Sequence, residues 1–433
     1  MTHSHSILLF FLLATFVLLP SVKSDSVSGN TLWRTLPNVQ TAFGVTNYAW
    51  DGDSVCFSNE QNLIRFYQGR RKFDVNGTAV WLNAPPDGSV TAGDWRLAAT
   101  DLDLLLLSVL PKEESAPKPV RVMLDPGHGG EDDGASSKDK DLGVKEKDLT
   151  LAMALRLGEH LTASGMQVVY TRTNDTALAL DERSVLARKN KADLFVSIHA
   201  NYAANSEASG VETYALTPCG YPGTAEGSRV PGWQIGNRND FHNTLLGFSI
   251  HSKLAVLAQA PDRGLRRQSF SVLRETSCPA VLIELGFLSN RAETLKMLDE
   301  MWQEKCAAAV TDGILTYAKK VEALDKAVAD KRARDAEANE RWRHRLAAHP
   351  AKPASKPTTN KTAKVRADLV AAAKPATNTA AGVRADLATA ATAPTNKASS
   401  VQALFTTNPT LYTNTTPVAL STLIDFYATG KAE

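Results

Sequence analysis

Apolar and polar positions follow two distinct patterns between residues 120 and about 320. Short, nearly continuous apolar runs are typical of buried strands, and longer segments with an apolar residue every three or four positions are typical of amphipathic helices. In the first helical segment the apolar positions are Leu149, Met153, Leu157 and Leu161. Gly165 follows them, where a helix would end. Alternating strands and helices predict an α/β fold, with a twisted, mostly parallel or mixed sheet flanked by helices.

The order of these runs sets the expected elements of residues 118–320. Predicted strands lie at 120–125, 166–172, 194–201, 210–216 and 280–287. Predicted helices lie at 146–165, 180–192, 243–259 and 292–321. The stretch between Thr217 and Asn243 is polar and rich in Gly, Pro and Asn. It predicts a long loop, which is either a lid or an inserted regulatory segment.

The flanking regions differ from this domain in composition. Residues 25–117 contain short aromatic and β-branched runs separated by turn signals such as Asn76-Gly77, which predicts a small β-rich accessory domain. Residues 321–349 are dense in charge and predict a solvated helix that continues from the domain. Residues 350–433 are mostly Ala, Thr, Pro and Lys. Because such a segment has few large apolar side chains, we expect a largely disordered, low-complexity tail.

The N-terminus contains a continuous apolar run from Ile7 to Leu19. This run is shorter than the roughly 20 residues that a membrane-spanning helix needs. Pro20 ends it, and the small residues Val22 and Ser24 offer a cleavage site. Residues 1–24 therefore resemble a secretory signal peptide, although no Lys or Arg precedes the apolar run, and a retained anchor is the alternative. We expect an exported protein of the periplasm or cell envelope.

Charge and cysteine content narrow the possible partners. The formal net charge of the 433-residue chain is +2. Nucleic-acid-binding domains are usually clearly basic, so nucleic acid is not an expected partner. The four cysteines of an exported chain can pair in three ways or remain buried thiols, and none forms a C-x-x-C pair, which argues against a cysteine metal site. They are Cys56, Cys219, Cys278 and Cys306.

Three residues with metal-binding side chains fall at the ends of predicted elements. His128 follows the first strand of the α/β region, His199 lies near the end of another strand, and Glu146 begins a helix. Functional sites of open α/β sheets collect beyond the carboxyl ends of the strands, so both histidines are expected at one rim. Two imidazoles and a carboxylate are a ligand set of catalytic zinc, with a fourth position left for water. A single histidine after a strand would more often be structural, so the prediction depends on all three.

Glu284 interrupts an otherwise apolar strand, AVLIELGF. A carboxylate in such a run is costly unless it faces a cleft, a metal or a partner. Beside a zinc ion it would be the general base of a hydrolytic reaction.

Four separated segments resemble the zinc-dependent N-acetylmuramoyl-L-alanine amidases of bacterial cell walls. They are DPGHGGEDDGA, VKEKDLTLAMALRLGEHL, VVYTRTNDTALALDERSVLARKNKADLFVSIHAN and DRGLRRQSFSVLRETSCPAVLIELGFLSN. The resemblance covers about residues 120 to 318 and implies one zinc ion per catalytic domain, bound by His128, Glu146 and His199, with Glu284 as the catalytic glutamate. It also implies hydrolysis of the amide between N-acetylmuramic acid and L-alanine of peptidoglycan, in cell-wall remodelling or daughter-cell separation.

Several further positions lie in matching motifs of this family. Asp125 is expected either to orient the loop or to accept the second N–H of a ligand imidazole, a common arrangement around metal sites. Structural ion pairs or turn hydrogen bonds are the expected roles of the others, with substrate binding as the alternative: Arg172, Arg183, Asn201 and Asn290. The acidic residues Glu131, Asp132 and Asp133 are expected only to solvate the loop.

Two other functions are compatible with the same residues. One is a zinc peptidase that cuts elsewhere in the stem peptide, and the other is a non-catalytic wall-binding protein. Some relatives are held inactive by an inserted helix and released by an activator protein. Whether residues 217–243 act in this way stays open, and we expect a monomer.

Overall fold

The computed structural model describes residues 27–348, apart from gaps at 29–30, 44–46, 51, 59–61, 107–119, 226–227, 229–230, 258 and 260. The predicted signal peptide and the predicted tail at 350–433 lie outside the described residues, and so do residues 107–119, at the boundary of the two predicted domains. The strands are β1 (Val27–Ser28), β2 (Thr31–Thr35), β3 (Asn47–Trp50), β4 (Ser54–Ser58), β5 (Leu63–Tyr67), β6 (Lys72–Val75), β7 (Thr78–Trp81), β8 (Arg96–Ala98), β9 (Arg121–Pro126), β10 (Gln167–Tyr170), β11 (Leu194–Asn201), β12 (Val211–Leu216), β13 (Asp262–Gln268) and β14 (Ala280–Phe287). The helices are α1 (Leu36–Phe43), α2 (Ala99–Leu106), α3 (Glu146–Ala163), α4 (Leu180–Lys189), α5 (Asp240–Leu257), α6 (Ser271–Glu275), α7 (Arg291–Leu298) and α8 (Glu300–Ala348).

The central sheet is mixed, which confirms the predicted fold class. Its strand order begins β10-β9-β11-β14-β12-β13. The first four strands are parallel, and β12 runs antiparallel to β14 and parallel to β13. The carboxyl ends of β9, β11 and β14 therefore meet at one rim, as expected of parallel strands joined by helical crossovers.

Helix α3 packs its regular apolar stripe onto this sheet. Leu149, Met153, Leu157 and Leu161 are all buried, as their four-residue spacing predicts. The helix ends at Ala163, and Gly165 follows with a φ of 81°, a left-handed conformation that glycine adopts without strain. Because the first residue of α3 is Glu146, packing of this helix fixes a carboxylate beside the sheet.

The sequence did not predict β13, which lies in the polar segment Asp262–Gln268. Three of its seven residues are arginines, so it lacks the apolar run that marks the other strands. Arg267 is nevertheless buried, and its guanidinium group donates to Thr244 Oγ1 at 2.9 Å. At this position a hydrogen-bonded arginine therefore takes the place of an apolar side chain.

The β-rich N-terminal part is present, and some of its strands extend the central sheet. Strands β3 to β7 form antiparallel pairs, and β7 joins β13 through the pairing of Val80 with Leu265. A separate three-stranded sheet contains β1, β2 and β8. Apolar side chains of both parts form one continuous core cluster, which includes Phe57 and Leu124. The N-terminal part thus packs directly on the α/β part.

The loop predicted between Thr217 and Asn243 is shorter than expected. A 3-10 turn occupies Ile235–Asn239, and α5 begins at Asp240. Polar residues misled the sequence interpretation here, because they are buried and hydrogen-bonded within the fold. Asn243 donates to the Gly236 carbonyl and accepts from the Ala280 amide. The described residues between Thr217 and Ile235 are irregular.

The C-terminal helical region contains two helices where the sequence predicted one. Asn290 caps α7, and Asp299 separates α7 from α8. Helix α8 continues through the charged segment, with exposed side chains over most of its described C-terminal residues.

The four cysteines are free thiols, and burial raises the pKa of Cys278 and Cys306 to about 12. Among the described helices, none is long and apolar enough to cross a membrane.

The buried carboxyl group of Asp101 on α2 should make stability depend on pH. Burial raises its pKa from 3.8 to about 6, although the amides of Asn83 and Ala84 donate to it. Because the folded pKa lies above the unfolded one, the neutral acid favours folding below about pH 4, and this contribution is lost as pH rises through 6. We expect Asp101→Asn to remove this dependence, which amounts to at most about 3 kcal/mol. Urea unfolding of both proteins from pH 4.5 to 7.5 measures it, and a constant difference between them would contradict the assignment.

Candidate metal centre

His128 lies in the glycine-rich loop that follows β9. Its φ is 62°, which is unusual for a residue with a side chain and marks a tightly constrained turn. The imidazole Nδ1 lies 2.8 Å from Asp132 Oδ2, and Nε2 lies 3.2 Å from Glu146 Oε2. The first residue of α3 and the loop after β9 therefore meet through this histidine.

Glu146 joins the two predicted histidines. Its Oε1 atom lies 2.9 Å from His199 Nδ1 and accepts from the Ala200 amide at 3.0 Å. Its Oε2 atom accepts from the Ala135 amide at 2.8 Å. One possible ligand atom from each of His128, Glu146 and His199 lies within 4.8 Å of the others. The structure thus brings together the three residues predicted as metal ligands.

Two glycines make room for this cluster, because they have no side chain. A Cβ atom on Gly127 would lie 2.3 Å from Cε1 of His199. A Cβ atom on Gly134 would lie 2.6 Å from Cδ2 of His128 and 2.7 Å from Oε2 of Glu146. Any larger residue would displace the side chains, so the loop and the cluster fit each other closely.

The charges of the cluster favour an ionised carboxylate. Burial alone would raise the pKa of Glu146, but the hydrogen bonds and charges of His128 and His199 hold it well below its usual range. Burial lowers the pKa of His128, and its contacts with Glu146 and Asp132 outweigh this effect and raise it. A bound cation would replace the protons that lie between the two imidazoles and the Glu146 carboxylate. The donor set of two imidazoles and one carboxylate fits zinc, which such sets bind in hydrolases.

Glu284 lies beside His199 in the sheet. The two residues are direct partners in the register of β11 and β14, so their side chains project from the same face. The Oε2 atom of Glu284 is shielded from solvent and has no hydrogen-bond partner among the described residues. Burial, reinforced by the charges of Glu146 and Glu212, raises its pKa well above the usual value. An unpaired buried carboxyl oxygen next to a metal-type cluster is a candidate proton acceptor.

The weaker sequence predictions have mostly structural contacts. Asp125 accepts from Thr171, Arg183 and Ser197, which orients the end of β9, and it touches neither imidazole. Arg172 donates to the carbonyls of Pro126 and Gly127, and Arg183 donates to those of Pro126 and His128. These two arginines therefore hold the backbone of the histidine loop.

Asn201 and Asn290 lie near β11 and β14 but do not contact the cluster. Asn201 donates to Glu212 Oε2 at 3.2 Å. Asn290 accepts from the amides of Ala292 and Glu293 and so caps α7.

Two acidic residues at this rim, Asp132 and Glu212, were not predicted from the sequence as part of the site. Asp132, assigned only to solvation, is the residue that contacts the second nitrogen of His128. Glu212 lies opposite Glu284 in the register of β12 and β14 and is almost fully buried. Glu212 interrupts the apolar run GVETYAL, just as Glu284 interrupts AVLIELGF. The same sequence pattern therefore predicts both residues.

Asp132 should strengthen metal binding through His128. A carboxylate that accepts the second N–H of a ligand imidazole fixes the ring and raises its basicity, and its loss typically costs 10- to 100-fold in metal affinity. We expect a zinc affinity about 10- to 100-fold weaker for Asp132→Asn, measured by competition with a chromogenic chelator. The neighbouring Asp133 pairs instead with Lys145 and Lys147, so Asp133→Asn is the matched control. Equal affinities of both variants and the parent would rule out this role.

Comparison with known proteins gives a consistent match over the α/β part. The family model described as N-acetylmuramoyl-L-alanine amidase matches residues 122–316. The chain is 37% identical over 226 residues to the uncharacterized protein YqiI of Bacillus subtilis, covering 52% of this chain and 97% of YqiI. It is 34% identical over 196 residues to the N-acetylmuramoyl-L-alanine amidase LytC of the same organism. That alignment covers 45% of this chain and only 35% of LytC, so the match spans about a third of the longer relative.

A solved structure also matches nearly half of the chain. The catalytic domain of the N-acetylmuramoyl-L-alanine amidase CwlV from Bacillus (Paenibacillus) polymyxa var. colistinus is 35% identical, with a TM-score of 0.39. It covers 46% of this chain and 97% of that domain. The family model and the nearly full-length match to YqiI together show that this chain belongs to the N-acetylmuramoyl-L-alanine amidase family.

Proposed function

We propose that this chain is a zinc-dependent peptidoglycan hydrolase. It cleaves the amide bond between N-acetylmuramic acid and the L-alanine that begins the stem peptide. One Zn²⁺ ion is held by His128, Glu146 and His199, and Glu284 is the general base. The observation that best supports the proposal is the set of three ligand atoms within 4.8 Å of one another, at the sheet rim where Glu284 is the strand partner of His199.

A bound zinc ion would supply Lewis-acid chemistry, which polarises a carbonyl group and lowers the pKa of water. The remaining work falls to the side chains. The contacts of Glu146 with both imidazoles hold its carboxylate in the ionised form, so it can serve as an anionic ligand. Asp132 holds the His128 ring from the other side, which leaves Nε2 facing the cluster.

Glu284 has the properties required of a proton carrier. Its Oε2 atom has no partner in the described part of the chain, so it is available to accept the proton of the attacking water. Its position beside the cluster, shielded from solvent, allows it to hold that proton until the amide bond breaks. Glu284 then donates the proton to the departing nitrogen of L-alanine, which completes hydrolysis without a second acid.

The other regions have supporting roles in this proposal. Residues 1–24 direct export and are removed, so the enzyme acts in the periplasm or cell envelope. Residues 118–320 form the catalytic domain, and residues 25–117 form an accessory part that packs beside it. The charged helix 321–349 and the tail 350–433 lie beyond the catalytic domain. The enzyme acts as a monomer in wall remodelling or daughter-cell separation, and its partners are peptidoglycan and an activator protein.

Mass analysis of digested muropeptides tests the reaction. The purified protein is incubated with peptidoglycan sacculi, with and without a zinc chelator. We expect free peptides that begin with L-alanine, and none when the chelator is present. Peptides cut at another bond would identify a zinc peptidase, and binding to sacculi without any cleavage would identify a non-catalytic wall-binding protein.

A further inference from the structure

A row of polar side chains continues from the proposed catalytic residues across the sheet. His199 pairs with Glu284, and Glu284 pairs with Glu212, on three neighbouring strands. The next strand is β13, where the register shifts between the pairs Val211–Asp262 and Thr213–Leu265. Two residues of β13 therefore lie opposite Glu212, and the first of them is Arg263. The row thus ends in a basic residue that the proposed reaction does not use.

Glu212 fixes this end of the row. Its side chain is only 1% exposed, and its Oε1 atom accepts from Nε of Arg263 and from Nη1 of Arg266, each at 2.5 Å. Its Oε2 atom accepts from the Tyr214 hydroxyl at 2.5 Å and from Asn201 at 3.2 Å. With four donors, the carboxylate has no capacity left for a ligand.

Arg266 is enclosed by aromatic rings. Its guanidinium carbon lies 5.1 Å from the ring centroid of Trp81 on β7 and 5.7 Å from that of Tyr214. Its side chain is 14% exposed, and Trp81 is itself held by a hydrogen bond to the Arg263 carbonyl. The N-terminal strands therefore help to immobilise Arg266, which serves as an anchor for Glu212.

Arg263 is held but not enclosed. Gly210 leaves room for its stem, since a Cβ atom there would lie 3.0 Å from Arg263 Cγ and Cδ. Its guanidinium carbon lies 4.8 Å from the ring centroid of Phe287, and its side chain is 35% exposed. Only Nε has an acceptor, and the two Nη atoms have none among the described residues. The terminal face of a fixed guanidinium group is therefore free to bind a planar anion in bidentate fashion.

The local charge also favours an anion. Two guanidinium groups share the single carboxylate of Glu212, so these three residues have a net charge of +1. Adjacent strands lie about 4.8 Å apart, which puts the backbone of Arg263 about 10 Å from that of Glu284, two strands away. An extended peptide rises about 3.4 Å per residue, so an anion at Arg263 would belong to one of the first residues after the scissile bond.

We propose that Arg263 binds a carboxylate on the peptide part of the substrate, next to the L-alanine released at Glu284. The site selects for acidic stem peptides, and Glu212, Arg266 and Trp81 hold Arg263 in position. This inference rests on the proposed amidase function, and it adds a specificity-determining residue to it.

A matched pair of soluble muropeptides tests this assignment. They differ only at the residue after L-alanine, which has a free carboxylate in one and a carboxamide in the other. We expect the parent protein to cleave the acidic substrate with a kcat/KM about 10- to 100-fold higher, the effect of one charge-assisted hydrogen-bonded pair. Arg263→Gln should lose this preference by slowing cleavage of the acidic substrate alone, and Arg263→Lys should retain part of it.

Arg274 supplies the control, because its side chain is also 35% exposed and also lies near a glutamate. Arg274→Gln should keep the full preference. Equal cleavage of both substrates by the parent protein, or an equal loss on both substrates in Arg263→Gln, would overturn the proposal. If the parent cleaved neither substrate, the proposed amidase function would fail instead, and thermal melting of each variant separates loss of folding from loss of selectivity.

Discussion

Glu284→Gln should lower kcat for muropeptide hydrolysis by about 100- to 10,000-fold, the range of general acid–base catalysis. The substitution keeps the size of the side chain and removes its ability to accept a proton. Because Glu284 lies outside the set of three proposed ligands, zinc content should stay at one ion per chain. Steady-state kinetics together with elemental analysis of the purified protein measure both quantities.

Asp101→Asn is a matched control for this substitution. Asp101 is also a buried carboxyl group with a raised pKa, but it contacts the amides of Asn83 and Ala84 in the N-terminal part. We expect its replacement by asparagine to leave kcat and zinc content unchanged at a pH where both proteins are folded. A Glu284→Gln protein with the parent rate would show that another group accepts the proton.

His199→Ala should remove both the metal and the activity. The substitution deletes one of three proposed ligands and leaves one imidazole and one carboxylate, which do not form a closed zinc site. We expect zinc affinity to weaken by more than about 100-fold, beyond the effect of losing an outer contact such as Asp132. Cleavage of muropeptides should be lost at zinc concentrations that saturate the parent protein.

His160 offers a comparison outside the cluster. It lies in the last turn of α3, is 27% exposed and contacts Glu304. His160→Ala should retain zinc and activity, since its partner belongs to α8. A His199→Ala protein that bound zinc as tightly as the parent would mean that the ion lies elsewhere, and the ligand assignment would be wrong.

The positions of the main site residues followed from the order of elements along the chain. His128 follows one parallel strand and His199 lies near the end of another, and the carboxyl ends of such strands meet at one rim. Glu146 begins a helix whose apolar stripe fixes its orientation on the sheet. The mixed sheet with flanking helices was predictable for the same reason, because strong apolar runs mark its buried strands.

The residues that were missed depend on contacts that a local pattern does not encode. Asp132 reaches His128 across a turn in which His128, Gly129 and Gly130 all have positive φ. Strand β13 lacks an apolar run, and its arginines are held by contacts with other strands and helices: Arg263 and Arg266 pair with Glu212 on the adjacent strand, and Arg267 donates to Thr244 within the core. The pairing of β7 with β13 joins parts of the chain more than 180 residues apart, and no spacing rule in the sequence predicts it.

The pairing of β7 and β13 also gives the N-terminal part a structural relation to the proposed site. Trp81 donates to the Arg263 carbonyl at 2.9 Å, and Arg71 donates to the carbonyls of Pro222 and Gly223 in the loop after β12. These contacts connect the accessory part to both β13 and that loop. We therefore expect the two parts to act together on a substrate at this rim.

Zinc reconstitution followed by product analysis tests the central proposal most directly. The parent protein and Glu284→Gln are stripped of metal with a chelator, titrated with zinc, and incubated with muropeptides whose products are identified by mass spectrometry. We expect no cleavage by the metal-free parent, and release of peptides beginning with L-alanine that becomes maximal at one zinc per chain, with almost none from Glu284→Gln. Equal release of these peptides by the metal-free parent, or equal recovery of Glu284→Gln on zinc addition, would contradict it.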